Sequence, residues 1–155
     1  MDFIEQLLPS EGYTDILVVI DCLTKQAIFI SSHRSINARA LAELFVLHIF
    51  SKHGVFSHII SDCGPEFVLA FFRSLAATLQ MNLHFISGHH LEADGQLERT
   101  NQTLKQYLHI YCNYQQSDWA KLLPLAEFTF NNAPSAATGI LLFFANKGYH
   151  PWLQI

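Results

Sequence analysis

Two short runs of this chain put an acid where chemistry could use it: Ser61-Asp62-Cys63-Gly64-Pro65-Glu66-Phe67 and Asp94-Gly95-Gln96-Leu97-Glu98-Arg99-Thr100-Asn101. Thirty-five residues lie between Asp62 and Glu98. Asp62 follows a short apolar run that reads as a strand, and Glu98 falls in the first turns of an amphipathic helix. Hydrolysis or transfer at a phosphodiester needs an activated oxygen nucleophile and a stabilised leaving oxygen, and two Mg²⁺ ions about 3.5–4 Å apart serve both. Mg²⁺ takes hard oxygen ligands and keeps several waters, so three carboxylates suffice to hold it. The third carboxylate must come from an early strand, where Asp2 and Asp21 both flank strand-like segments.

Neither acid is decisive alone. The chain has thirteen Asp and Glu, so some pair falls at any chosen separation. An Asp ahead of Gly-Pro also suits a turn or a helix cap, and a Glu early in a helix suits the positive end of its dipole. The face around Glu98 adds weight. At about 100° per residue, Glu98, Gln102, Lys105 and His109 fall in one narrow stripe with Asn101 beside it. Leu97, Leu104, Leu108 and Tyr111 form a separate apolar stripe. The apolar stripe can dock on a sheet, which leaves the polar stripe lining a surface beside the carboxylate. Amide and Lys side chains there can donate hydrogen bonds to phosphate oxygens. An ordinary wet helix face is the blander reading. The adjacent His89 and His90 have no Cys or His partner at zinc-ligand spacing and read as a polar loop.

Several elements must position these residues. Residues 16–20 and 26–31 are apolar runs that read as paired strands, with a turn around Leu23-Thr24-Lys25. Residues 1–8 read as a further strand, giving three antiparallel strands at the start. Residues 37–52 carry apolar residues at three- and four-residue steps and read as a helix, capped by Ser35 or Asn37 and ended by Gly54. A short strand over 58–61 precedes a second helix that opens at Pro65 and packs Phe67, Phe71, Leu75 and Leu79. A fifth strand is predicted over 82–87 and a polar loop over 88–95. Helices follow over 95–112, capped by Asp94, and over 119–131; the tail from 132 is irregular. The order βββαβαβαα indicates an α/β domain with a mixed sheet flanked by helices.

Composition bounds the rest. A chain of 155 residues, half of them apolar and thirteen of them Phe, is one domain with a real core. No apolar run reaches the roughly 18 residues that span a membrane. The first residues include Asp2 and Glu5 and no basic region, unlike a signal peptide. Cys22, Cys63 and Cys112 cannot all pair with one another and form no Cys-x-x-Cys site, which suits a reducing interior such as cytosol or nucleus. The net charge of −4 argues against strong non-specific nucleic-acid binding by this segment alone, although bound cations would offset an acidic centre.

At these residues the chain resembles the integrase catalytic core of gypsy-type LTR retrotransposons. The likeness runs through Met1-Asp2-Phe3-Ile4, Ile16–Asp21 with Leu23-Thr24-Lys25, Ser61–Phe67 and Asp94–Leu104. It continues through Trp119–Phe128, Asn131-Asn132, Phe143–Asn146 and Gly148–Pro151. The resemblance implies an RNase H-like fold with a five-stranded mixed sheet flanked by helices. It implies a metal-dependent polynucleotidyl transferase using Mg²⁺ or Mn²⁺, which trims a DNA 3′ end and transfers it to target DNA. It also implies the triad Asp2, Asp62 and Glu98 as catalytic and metal-binding residues, with Asp21 outside the site. Asn101, Gln102 and Lys105 are the implied nucleic-acid-binding residues. DNA is the implied partner, a homodimer fits the family's multimers, no membrane is involved, and the nucleus is the expected location.

The chain departs from that pattern in places. It is read as a single core domain over 1–155, N-terminally truncated, without the zinc-binding domain before it or a basic or chromodomain-like module after it. Asp2 is therefore expected to be loosely held. Cys22 and Cys63 stand where the family commonly has Arg, the loop before Gly95 reads His89-His90-Leu91-Glu92-Ala93-Asp94, and Leu141-Leu142 replaces a Ser-Pro-like pair. These departures suit a decaying element fragment with weak or absent turnover. The alternative function is a catalytically inactive integrase-derived remnant that acts only in nucleic-acid binding or interaction.

Overall fold

The computed structural model describes residues 1–54, 56, 59–61, 63–80, 91–135 and 138–151. Three strands, Asp2–Ile4 (β1), Asp15–Ile20 (β2) and Ala27–Ser32 (β3), form an antiparallel sheet in the order β1-β2-β3. Asp2 lies opposite Val18, and Ile20 opposite Ala27. Of the two later strands expected from sequence, 82–87 and His58 lie outside the described residues, and Ile59–Ser61 carry no ladder pairing among the described residues. The main-chain nitrogen of Met1 nevertheless donates to the Ile60 carbonyl at 2.6 Å, so this segment runs beside the start of β1.

The helices follow the sequence signals, with corrections. Asn37 caps Ala38–Phe45 (α1), its side-chain oxygen accepting from the Ala40 amide at 2.9 Å. A π-helical stretch, Val46–Phe50, continues α1 into a last short turn, Ser51–His53 (α2), before Gly54 at φ 78° ends it. The wider π turn changes the azimuth of everything after it, including Lys52 and His53. Pro65 opens Pro65–Leu79 (α3) at the position where its missing N–H costs nothing. Leu91–Tyr111 (α4) starts four residues earlier than the predicted 95, so Asp94 falls inside the helix and Glu98 in its third turn. Trp119–Asn131 (α5) is as predicted, while Leu142–Lys147 (α6) forms in the tail expected to be irregular. None of the described helices is long and apolar enough to cross a membrane.

Side chains alternate along β2 and serve two cores. Ile16 and Val18 pack with Leu97, Leu104 and Leu108 of α4 and Trp119, Leu123 and Ala126 of α5. Leu17 packs on the other face with Leu41, Phe45, Phe71 and Leu75 of α1 and α3. Asp2 shares the parity of Ile4 and faces α4, whereas Met1 joins the α1–α3 core. Tyr111, predicted to extend the apolar stripe of α4, is instead 60% exposed, its ring lying against Tyr107 with centroids 4.4 Å apart.

β3 has a free outer edge, and α5 closes it with side chains. The Ala27 amide donates to Asn131 Oδ1 at 2.9 Å, and Asn131 Nδ2 donates to the Ala27 carbonyl at 2.8 Å. One turn earlier, Glu127 Oε2 accepts from the Phe29 amide at 2.8 Å. The i, i+4 spacing of Glu127 and Asn131 thus imitates a neighbouring strand. Burial raises the Glu127 carboxyl above the ordinary glutamate range; the Phe29 hydrogen bond and the charge of Lys52 only partly oppose this.

Two predictions follow from this edge. Asn131→Ala strands a buried N–H and C=O, and should lower the stability by about 3 kcal/mol, read as a lower urea midpoint at unchanged slope. Because the folded-state value of Glu127 is raised, its contribution is present below the unfolded-state value and is lost as pH rises through the folded-state value. Glu127→Gln keeps an acceptor for Phe29, so its stability should lose that decline between weakly acidic and neutral pH. A variant that declines like the parent chain would refute the assignment.

Candidate active site

The acid on β1 is held firmly. Asp2 Oδ1 accepts from the Phe3 amide at 2.7 Å, and Oδ2 accepts from Asn101 Nδ2 of α4 at 2.5 Å. The expectation of a loosely held Asp2 is not met, since strand pairing with Val18 and two hydrogen bonds fix it. A hydrogen bond to an ionised acceptor is among the stronger kinds, and this one ties the sheet to α4 across 99 residues of chain. The Asn101 amide must present nitrogen to the carboxylate. Its own Oδ1 is then buried and accepts no hydrogen bond among the described residues.

Glu98 stands three residues before Asn101 on the exposed side of α4. Residues at i and i+3 are neighbours on a helix surface, with Cβ atoms about 5–6 Å apart. The structure therefore brings Glu98 to within one helical turn of the side chain that grips Asp2. Its position in the third turn also removes it from the strongest field of the helix N-terminus, so dipole complementarity does not account for an acid there. Gln102 and Lys105 continue the exposed stripe. Asn101 sits at its border, and the resemblance reads it as a nucleic-acid contact, but its amide nitrogen is already engaged with Asp2.

Asp62 lies outside the described residues, as do His89 and His90. On either side of it, the Cys63 amide donates to Ser61 Oγ at 3.1 Å. Among the described residues, no group of three His, Cys, Asp or Glu could hold a metal ion, so Asp2 and Glu98 are the two candidate ligands whose setting is defined. Both offer hard carboxylate oxygens, a donor set that suits Mg²⁺ or Mn²⁺.

Asp21, the other early acid, has a different role. Its Oδ2 accepts from the Thr24 amide at 2.9 Å and the Thr24 hydroxyl at 2.5 Å, and its Oδ1 from the Leu23 amide at 3.4 Å. Partial burial would raise this carboxyl, but the Thr24 and Leu23 hydrogen bonds and nearby His53 outweigh it and hold Asp21 below the ordinary range. It closes the β2–β3 turn, where Lys25 takes a φ of 66°.

Comparison with known proteins gives the family context. No family model matches the chain. It is 31% identical over 154 residues to the Transposon Tf2-3 polyprotein of Schizosaccharomyces pombe, and equally so to the Tf2-4 polyprotein. The match takes in 99% of this chain and 12% of each polyprotein, so the chain spans about an eighth of these relatives' length. The HTLV-2 integrase catalytic core domain, in a trimeric form with magnesium, superposes with a TM-score of 0.65 at 17% identity, covering 94% of this chain and 93% of that one. The catalytic core domain of BIV integrase gives a TM-score of 0.63 at 19% identity, covering 94% and 92%. The chain is thus related in sequence to transposon polyproteins and has the RNase H-like fold of integrase catalytic cores, of which three sheet strands are described here.

Asn101→Ala should release Asp2 from α4. Amide exchange at Phe3 and Val18 is expected to quicken about tenfold, equivalent to about 1.4 kcal/mol for a hydrogen bond to a charged group, while Gln102→Ala leaves it unchanged. Equal exchange in Asn101→Ala and the parent chain would show that the contact does not hold β1.

Proposed function

We propose that this chain is the catalytic core of a gypsy-type retroelement integrase, a polynucleotidyl transferase that trims a DNA 3′ end and joins it to target DNA. The observation that carries this reading is the Asp2–Asn101 hydrogen bond, which sets a strand carboxylate beside the helix turn that bears Glu98. The relationship to transposon polyproteins and the integrase-core fold supports it. In this reading residues 1–155 form one core domain, DNA is the substrate, and the nucleus is where it acts.

Asp2, Asp62 and Glu98 would hold Mg²⁺ or Mn²⁺, which supplies activation of an oxygen nucleophile and stabilisation of a leaving oxygen. The protein's own groups do the positioning. Phe3 and Asn101 orient the Asp2 carboxylate, so that its direction is set before any ligand arrives. The exposed Gln102 and Lys105 donate to backbone phosphates and align the scissile bond along α4. A homodimer is part of the proposal, in keeping with the dimeric and trimeric forms of the HTLV-2 core.

End-trimming and strand-transfer assays in Mn²⁺ test it. Asp62→Asn and Glu98→Gln should each lower turnover at least about a hundredfold, the equivalent of roughly 2.7 kcal/mol of barrier, and should weaken Mn²⁺ binding measured by titration calorimetry. Equal turnover in the parent chain and both variants would remove the enzymatic reading and leave an interaction domain.

A further inference from the structure

A second feature lies beside the candidate acids and belongs to neither the triad nor the α4 stripe. A cavity of about 640 Å³ opens at the Ile20 end of the sheet. Its walls include Met1, Ile60 and Leu97, each within two residues of Asp2, Asp62 or Glu98 respectively. Its lining also includes Asp21 of the β2–β3 turn, Lys52 and His53 from α2 and Lys147 from the last turn of α6.

Both lysines act on His53. Burial, then the charge of Lys147, lowers His53 below the ordinary imidazole range; Asp21 opposes this and Lys52 adds to it. Neither lysine has an ion-pair partner within 4.0 Å among the described residues, where the salt bridges are Arg39–Glu43 and Lys121–Glu11. The two nearby acids act on these groups and are also tied to the backbone: Asp21, which opposes the lowering of His53, holds its turn through Thr24, and Glu127, which feels the charge of Lys52, holds the Phe29 amide. A cation in a last helical turn complements its own helix dipole, which explains either lysine alone. It does not explain why two helices place two lysines around one imidazole whose protonation both oppose, in the lining of one cavity. An anion between them would convert that repulsion into attraction.

We propose that Lys52, His53 and Lys147 form a phosphate-binding rim for a nucleic-acid strand that passes the candidate carboxylates. The proposal rests on the nucleic-acid reading above and deepens it. The rim neutralises backbone phosphates away from the bond to be cut, so its contribution is independent of base sequence. It also gives a chain of net charge −4 a local cationic surface where the substrate must lie.

Fluorescence anisotropy with a labelled DNA duplex, in chelator so that no turnover occurs, tests this across a salt series. Each lysine that meets a phosphate contributes about one to the slope of log K against log salt. Lys52→Gln and Lys147→Gln should each flatten the slope by about one and the double variant by about two, with unchanged thermal unfolding. A double variant with the parent slope, while Lys105→Gln flattens it, overturns the rim and leaves the integrase reading intact. No duplex binding by the parent chain overturns both. If inorganic phosphate shifts the NMR signals of residues 52, 53 and 147 but duplex slopes do not change, the rim is a small-anion site and the proposal fails.

Discussion

A strand buried on both faces must be paired on both edges, and β2 is that strand. Ile16, Leu17 and Val18 are all fully buried, facing alternately toward α4–α5 and α1–α3. Each of their amides and carbonyls left without a partner would cost about 1–3 kcal/mol, so β1 and β3 are required to supply the ladders. That requirement then moves outward. The outer edge of β3 takes Glu127 and Asn131 from α5 in place of another strand. At the other side, the start of β1 reaches the Ile60 carbonyl. Backbone satisfaction thus brings together the start of β1, the residues that precede Asp62, and the helices that flank them.

The candidate site inherits its geometry from this arrangement. Asp2 is the residue of β1 whose side chain faces α4, because Ile4 two residues on faces the same core and period two leaves no choice. Leu97, Leu104 and Leu108 fix the rotation of α4 by docking on that core, which leaves Glu98, Gln102 and Lys105 in solvent and Asn101 at the border. A border residue is the one that can reach inward, and it is Asn101 that meets Asp2. The buried apolar stripe therefore determines which polar residue grips the carboxylate. The unsatisfied Oδ1 of Asn101 is the local cost of that grip.

Much of this was legible in the chain. The apolar runs of β2 and β3, a cap at Ser35 or Asn37, Pro65 at a helix start and the two stripes of α4 are local patterns, and local physics decides them. The features that were not legible depend on partners distant in sequence. Glu127 and Asn131 look like any polar residues on a helix until β3 supplies the edge they close. Asn101 looks like a surface contact until Asp2 is seen 2.5 Å away. The earlier start of α4 was hidden because Gly95 and Asp94 are turn formers by composition, yet both lie within the helix. Tyr111 continues the stripe by spacing, but its ring lies against Tyr107 of the preceding turn and stays exposed. Between Asp2 and Asp21, both flanking strands, only the hydrogen bonds distinguish the one held toward α4 from the one closing a turn.

Net charge is a poor guide to what such a molecule binds, because what counts is where charges are left without partners. The chain has nine Lys and Arg against thirteen Asp and Glu. Among the described residues two of the cations form exposed ion pairs, Arg39 with Glu43 and Lys121 with Glu11, which contribute little to stability. Asp21 and Glu127 accept hydrogen bonds from turn and strand amides, so part of the negative charge is directed inward at backbone donors. Lys105 lies on the α4 stripe, and Lys52 and Lys147 face the cavity beside it, all without an ion-pair partner within 4.0 Å among the described residues. An approaching polyanion experiences that local field rather than the sum, since charges beyond about 10 Å are screened at ordinary ionic strength. An acidic chain can in this way present a surface that is locally cationic.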